Sequence, residues 1–390
     1  MRTLCLCLLV LVLCSGSEAM VDHRFRPGES LRAYDINNIV DALLHQITGG
    51  KGIQVRTFGD RLILTKAQIR DPKVPCPKRI LSDTPTALYA DPTTGLLFIG
   101  MSVPGGPARF YRWDGTGTID TASYVELLGE TVYDFIRHPV EGVLYACTGD
   151  SYGYILRSAD DGDTWTQVRK TTPGYPLLQH PYPITGLAYE ATYGQMLAID
   201  HDPGGVVNAT LFWHQYPGND RWFAQTQSRS MEGNDIDCDP VEFAPFVAGD
   251  SGFFRKDGGG GWSTLGTPPG YDTVEYEGKV YNSGPFVSTD QLVVRRASRY
   301  ENPVVFRIDG QTGDAGFFAA SSGGVYFILG TVASGTQVYY SDTGDNGTWE
   351  RIGDACPSWG GDNTEIKSAA HFNSLLFVGS DGLWQCPASW

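Results

Sequence analysis

Ser158-Ala159-Asp160-Asp161-Gly162-Asp163-Thr164-Trp165 is the stretch from which the fold of this chain is read. It follows a strand-like run, Tyr154-Ile155-Leu156-Arg157, and its fixed residues answer the needs of a tight hairpin turn. Ser158 and Asp160 offer acceptors to backbone N–H groups that leave the ladder, Gly162 supplies a positive φ, and Trp165 has an indole to bury against the sheet. Thr164 completes the pattern S/T-x-D-x-G-x-T-W. A second copy, Arg255-Lys256-Asp257-Gly258-Gly259-Gly260-Gly261-Trp262, keeps Asp257, Gly259 and Trp262 at the same offsets without the hydroxyls. A third, Thr343-Gly344-Asp345-Asn346-Gly347-Thr348-Trp349, is one residue shorter between Gly347 and Trp349.

These turns sit inside a longer repeat. Seven segments read as a turn followed by an apolar strand: Gly95 to Gly100, Gly142 to Ala146, Gly194 to Ala198, Phe246 to Gly249, Asp290 to Val294, Gly324 to Gly330 and Asn373 to Gly379. Their starts fall roughly 35 to 50 residues apart, the length of a four-stranded propeller blade. Most are followed by a second strand that runs into a polar turn, as in Phe110-Tyr111-Arg112-Trp113-Asp114-Gly115. The reading is an all-β chain with a seven-bladed β-propeller over residues 76–390. Its last blade ends soon after Leu383-Trp384-Gln385, so a segment near 76–85 is expected to supply the missing outer strand and close the ring.

The octet resembles the Asp-box, or BNR repeat, of sialidase-like and VPS10-type β-propellers. That resemblance implies a turn at the blade periphery with a structural role. A sialidase-like enzyme would also need an arginine cluster, a Tyr activated by Glu, and an Asp as acid/base. The string nearest to that family's Arg-Ile-Pro signature is Phe306-Arg307-Ile308-Asp309, late in the chain and without the proline. Arg295-Arg296 and Glu275-Tyr276-Glu277 are neighbours along strands, and such neighbours point to opposite faces. No catalytic residue is assigned, and a sialidase-type glycoside hydrolase is the alternative reading.

Composition narrows the partners. A net charge of −15 with no basic run makes a nucleic-acid backbone an unsuitable ligand, because such binding relies on clustered Lys and Arg. Met1-Arg2-Thr3, an apolar stretch from Leu4 to Cys14, and small residues at Ser17 and Ala19 read as a secretory leader over residues 1–19. That stretch is too short to span a bilayer. An alternative start at Met20 leaves the same mature chain. Of the cysteines beyond the leader, Cys356 and Cys386 both precede proline and are candidates for a bridge, with Cys76 a competing partner. No C-x-x-C spacing suggests a zinc site, and no cofactor or metal is expected.

Residues 20–75 read as a separate unit. Asp35 caps a helix with an apolar stripe of Ile36, Ile39, Val40, Leu43, Leu44 and Ile47, and a hairpin follows through Gly52-Ile53-Gln54-Val55 and Arg61-Leu62-Ile63-Leu64. The arrangement resembles N-terminal modules of bacteriophage tail and fibre-associated proteins. It implies a virion or self-assembly contact through residues 36–47.

The innermost strand of each blade lines the channel, so aligning the repeats selects the candidate binding residues: Tyr89, Tyr133, Asp134, Arg137, Asp235 and Asp237. Asp235-Ile236-Asp237-Cys238-Asp239 alternates carboxylates in a way calcium uses, but the Gly and distal Glu of a calcium loop are missing. The functional expectation is a non-catalytic recognition and scaffold propeller, extracellular or virion-associated, with a glycan or protein ligand on its face. A further alternative is an extracytoplasmic assembly factor.

Overall fold

The computed structural model describes residues 53–58, 61–66, 77–170, 178–202, 209–215, 221–227, 232–238, 244–256, 261–266, 272–276, 279–286, 291–297, 304–312, 315–321, 323–331, 335–345, 347–352, 366–373 and 375–387. The chain divides into two compact units, 1–69 and 70–390. In the first, Ile53–Phe58 and Arg61–Lys66 pair antiparallel, with Phe58 opposite Arg61. The expected leader, the helix and the docking stripe at 36–47 lie outside the described residues. Among the described residues no helix is long and apolar enough to cross a membrane.

The second unit is an all-β propeller. Its strands form seven sheets of four or five strands, taken here in chain order as sheets 1 to 7. Their innermost strands are Pro85–Asp91, Thr131–Arg137, Ile184–Glu190, Gly233–Cys238, Asp272–Tyr276, Ala315–Ser321 and Ser368–Phe372. Each of these contacts the next, and the last contacts the first, so the inner strands form a closed ring.

Local sequence explains how each inner strand turns back. In sheet 1, Asp91 accepts bonds from Thr93 N (3.0 Å) and Thr94 Oγ1 (2.7 Å), while Gly95, at φ 66°, returns its N–H to Asp91 O. Sheet 2 repeats the turn with His138 Nδ1 accepting from Val140 N and Glu141 N, both at 3.2 Å, before Gly142 at φ 70°. Sheet 3 repeats it again with Glu190 accepting from Thr192 N (2.6 Å) and Tyr193 N (2.8 Å) before Gly194 at φ 63°. Three side chains of different type fill one role, satisfying turn N–H groups that have left the ladder.

The second strands are buried along their length, as in Leu144–Gly149, because both faces of a radial sheet are covered by neighbours. Seven apolar clusters fill the seven gaps between consecutive sheets. Between sheets 1 and 2, for example, Phe98 and Phe110 meet Phe135, Leu144 and Leu156.

One segment is out of register with the sequence reading. Residues 291–294 belong to the third strand of sheet 5, Gln291–Ala297, and the second strand is Lys279–Phe286. Gly278 stands directly before that second strand, as Gly95 and Gly194 stand before theirs, so the sequence reading passed over this signature and chose the strand after it.

The ring closes through Lys78–Leu81, which pairs antiparallel with Leu383–Pro387, setting Lys78 opposite Gln385 and Leu81 opposite Leu383. Sheet 7 thus takes its outer strand from the start of the unit and the rest from its end. Arg79 binds the carbonyl oxygens of Ser82 and Asp381, and Trp384 Nε1 donates to Asp381 Oδ1 at 2.7 Å. Cys386 is a free thiol, so the suggested bridge to Cys356 or Cys76 is corrected. Its side chain is fully buried in the apolar cluster between sheets 6 and 7, beside Leu376 and Val378, and burial pushes the thiol's pKa up. Cys356 and Cys76 lie outside the described residues.

Candidate functional site

Four successive inner strands carry a β-bulge at the same depth: the pairing skips Thr86 in sheet 1, Tyr133 in sheet 2, Thr185 in sheet 3 and Asn234 in sheet 4. A bulge re-aims the extra side chain and bends the strand. All four residues border a central cavity of about 1630 Å³. Tyr89, Tyr133, Asp134, Asp235 and Asp237 line it as well, so five of the six candidate binding residues share one space. Thr131, Ser102 and Lys367 add polar groups, and Phe317 of sheet 6 and His371 of sheet 7 add rings.

Side chains tie the inner strands to one another across five consecutive gaps. Thr86 Oγ1 donates to Val132 O (2.7 Å), and Asp134 Oδ2 accepts from Leu187 N (2.9 Å). Thr185 Oγ1 donates to Gly233 O (2.6 Å), and Asp235 Oδ2 accepts from Thr273 N (2.8 Å) and Thr273 Oγ1 (2.7 Å). Asp272 Oδ2 then accepts from Phe318 N at 2.6 Å. Gly186 lets the strands approach closely, since a Cβ there would meet Ile236 N at 2.8 Å.

The cavity wall is therefore rich in carboxyl groups withdrawn from bulk water. Burial, reinforced by the charge of Asp235, holds Asp134 well above the ordinary aspartate range. Burial likewise raises Asp237 to about 7, with Asp235 and Glu275 contributing repulsion. Asp235 is raised to about 6 by burial, against the opposing effect of its bonds from Thr273 and Ile236. Burial and the neighbouring Asp235 hold Asp272 well above its usual value. Tyr89, whose hydroxyl accepts from Arg137 N at 3.1 Å, is pushed up to about 12 by burial. Among the described residues, no group of three or more His, Cys, Asp or Glu has the arrangement a metal ion needs.

Arg137 is the exception among the candidate binding residues, and the structure moves it out of the cavity. It sits at the far end of its strand, where its guanidinium bonds Asp91 Oδ2 through Nε (2.8 Å) and Nη2 (2.6 Å) and reaches Asp161 at 2.8 Å. Both ends of the Arg137–Asp91 pair are buried, so it acts as a clamp between sheets 1 and 2.

The octet turn provides the third member of that clamp. Ser158 Oγ accepts from Gly162 N (2.8 Å) and donates to Asp160 Oδ1 (2.7 Å), while Asp160 accepts from Thr164 N (2.8 Å) and Thr164 Oγ1 (2.5 Å). These bonds hold the Asp160 carboxyl down at about 2. Gly162 has φ 87° and lies against Phe98 and Phe110 of sheet 1, where Trp165 meets Phe110 edge-on at 5.6 Å. In the third copy the hydroxyl equivalent to that of Ser158 belongs to Ser341, which accepts from Gly344 N at 2.7 Å. Thr343 instead accepts from Asp345 N, and Gly347 has φ 81°. Asp257 and Gly259 of the second copy lie outside the described residues, and Trp262 Nε1 donates to Gln227 Oε1 at 2.8 Å. Trp165, Trp262 and Trp349 pack in the seams to sheets 1, 3 and 5.

Arg109 is the one arginine among the described residues that border the cavity. Its guanidinium stacks 4.2 Å from the centre of the Tyr124 ring. Tyr276 is buried and its hydroxyl donates to Asp342 O at 2.9 Å. The described residues thus bring no arginine cluster together with a Tyr/Glu pair. The side chains of Arg295, Arg296 and Arg307 lie outside them. Sequence reasoning missed the bulge residues Thr86, Thr185 and Asn234 and the wall carboxyl of Asp272. Their only signal is a small or polar residue one or two places before the apolar core of each inner strand.

No protein-family model and no curated protein matches this chain. Many solved structures resemble it in fold, among them two extracellular domains. One is an extracellular domain assigned to a hybrid two-component system, BT4673, of B. thetaiotaomicron, with TM-score 0.58 and 11% identity, covering 83% of this chain and 44% of that one. The other is an extracellular domain of BT4673 assigned to a one-component system, with TM-score 0.53 and 14% identity, covering 80% of this chain and 40% of that one. The chain spans less than half the length of either.

Proposed function

We propose that this chain is a non-catalytic recognition propeller that works outside the cell and takes a glycan or a protein segment into the mouth of its central cavity. The observation that carries this reading is the cavity of about 1630 Å³, bordered by bulge residues from four successive strands. Its lining alternates aromatic rings with hydroxyl, amide and carboxyl groups, the mixture that grips a polar ligand by stacking and hydrogen bonding together. The extracellular setting of both similar structures and the expected leader support the location.

The test is a glycan array and a secreted-peptide library, each probed with the purified chain and with Tyr133→Ala. Loss of the ring is expected to weaken the recovered binding about tenfold, the equivalent of ~1.4 kcal/mol, with an unchanged melting profile. Equal binding by the variant removes the cavity mouth from the reading. Turnover of fluorogenic glycosides that Asp235→Asn abolishes would show instead that the wall does chemistry.

A further inference from the structure

We infer that the wall formed by the inner strands of sheets 4, 5 and 6 is held shut by a proton-dependent clasp, in which Asp235 and Asp272 share one proton while each holds an amide of the next sheet. This goes beyond ligand recognition and needs no ligand to operate. Asp235 Oδ2 takes the N–H of Thr273 and Asp272 Oδ2 takes the N–H of Phe318, so the two carboxyls span two consecutive gaps of the ring. Asp235 Oδ2 also accepts the hydroxyl of Thr273, the residue next to Asp272, which sets the two carboxyls close together on the cavity wall. One of them keeps its proton, because two neighbouring carboxylates in a buried site repel.

The surroundings favour retention of that proton. Asp134 from sheet 2 and Asp237 from the same strand add negative charge, Glu275 adds more from sheet 5, and the buried Cys147 thiol lies beside Asp134. The inner strand of sheet 6, Ala315–Ser321, carries no titratable group, nor does Pro245–Gly249 behind Asp235. Glu190 of sheet 3 caps its own turn, and Lys279 stands at the far end of its strand, opposite Tyr276. The basic groups bordering the cavity, Arg109, His201, Lys367 and His371, come from other parts of the ring, as do Asp83, Tyr89, Tyr111 and Tyr133.

As pH rises, the shared proton leaves and the repulsion that appears between Asp235 and Asp272 opposes the amide bonds they hold. The two seams then open more often. Amide hydrogen exchange of peptides covering 272–276 and 315–321, corrected for intrinsic rates, tests this between pH 5 and pH 8. Protection is expected to fall about tenfold across that range, one pKa unit's equivalent, while the peptide covering 96–101 stays constant. Asp272→Asn, which keeps both a donor and an acceptor without titrating, is expected to remove the pH dependence. Constant protection in the parent chain, or full pH dependence in Asp272→Asn, overturns the clasp. If that variant does not fold, the infrared band of a protonated carboxyl in the parent chain decides: its absence at pH 5 overturns the clasp, and its loss on raising the pH supports it.

Discussion

Arg137 binds two sheets through one side chain, and its removal shows what a buried charge costs when its partner goes. Burial by itself would raise Asp91, but the bonds from Arg137, Thr94 and Thr93 bring its carboxyl below the ordinary value. Arg137→Met is therefore expected to destabilise the propeller by about 3–5 kcal/mol, because it strands a buried carboxylate. Urea denaturation measures this, and adding Asp91→Asn to the variant is expected to recover part of the loss. An unchanged midpoint for Arg137→Met would show that water reaches Asp91. Arg137 also shows why the candidate site was only partly legible in the sequence. It lies four residues from Tyr133, and strand pattern alone does not say how far along the ring's depth the cavity extends. Tyr133 and Asp134 were legible because they stand at the strand's start. The octet was legible in Ser158, Asp160, Gly162, Thr164 and Trp165, since each meets a need local to its own turn. Ser341 was not, because the third copy places its hydroxyl two residues upstream of Thr343, where the octet pattern does not look for it.

Among the elements, the inner strands follow a two-sheet alternation. In sheets 1 and 3 the bulge threonine reaches across to the next strand, and in sheets 2 and 4 the aspartate after the bulge does so. The octet-like turns fall in sheets 2, 4 and 6, with the same spacing. Thr86→Val and Thr185→Val each remove one hydroxyl bond to a neighbouring carbonyl, and each is expected to cost about 1 kcal/mol. The two lie in different gaps, so the double variant is expected to lose the sum within about 0.5 kcal/mol. Chemical denaturation of the three variants checks both statements, and a double variant much weaker than the sum would mean the gaps open together. Strand runs and Gly-led turns made the sheets readable from sequence. The ties between strands were not, because they depend on which residue of one sheet meets which backbone atom of another.

Taken whole, the propeller has charged groups that pull its stability in opposite directions with pH. Asp91 and Asp160 have folded-state values below those of an unfolded chain, so their contribution is present at neutral pH and fades as pH falls. The wall carboxyls behave the other way. Asp235 at about 6 and Asp237 at about 7 lie above the unfolded value, so the folded state binds more protons and loses stability as pH rises through that window. The melting temperature is expected to peak near pH ~5 and to drop by at least ~3 °C on reaching pH 8. Asp237→Asn is expected to shrink that drop, and a melting temperature that climbs from pH 5 to pH 8 would contradict the assignment. The strand Lys78–Leu81, lying alongside Leu383–Pro387, has a consequence for how such a disc can be carried. The closed ring therefore has its first and last strands side by side at the outer edge of sheet 7. It can be spliced into a longer protein without prising apart the stretches on either side.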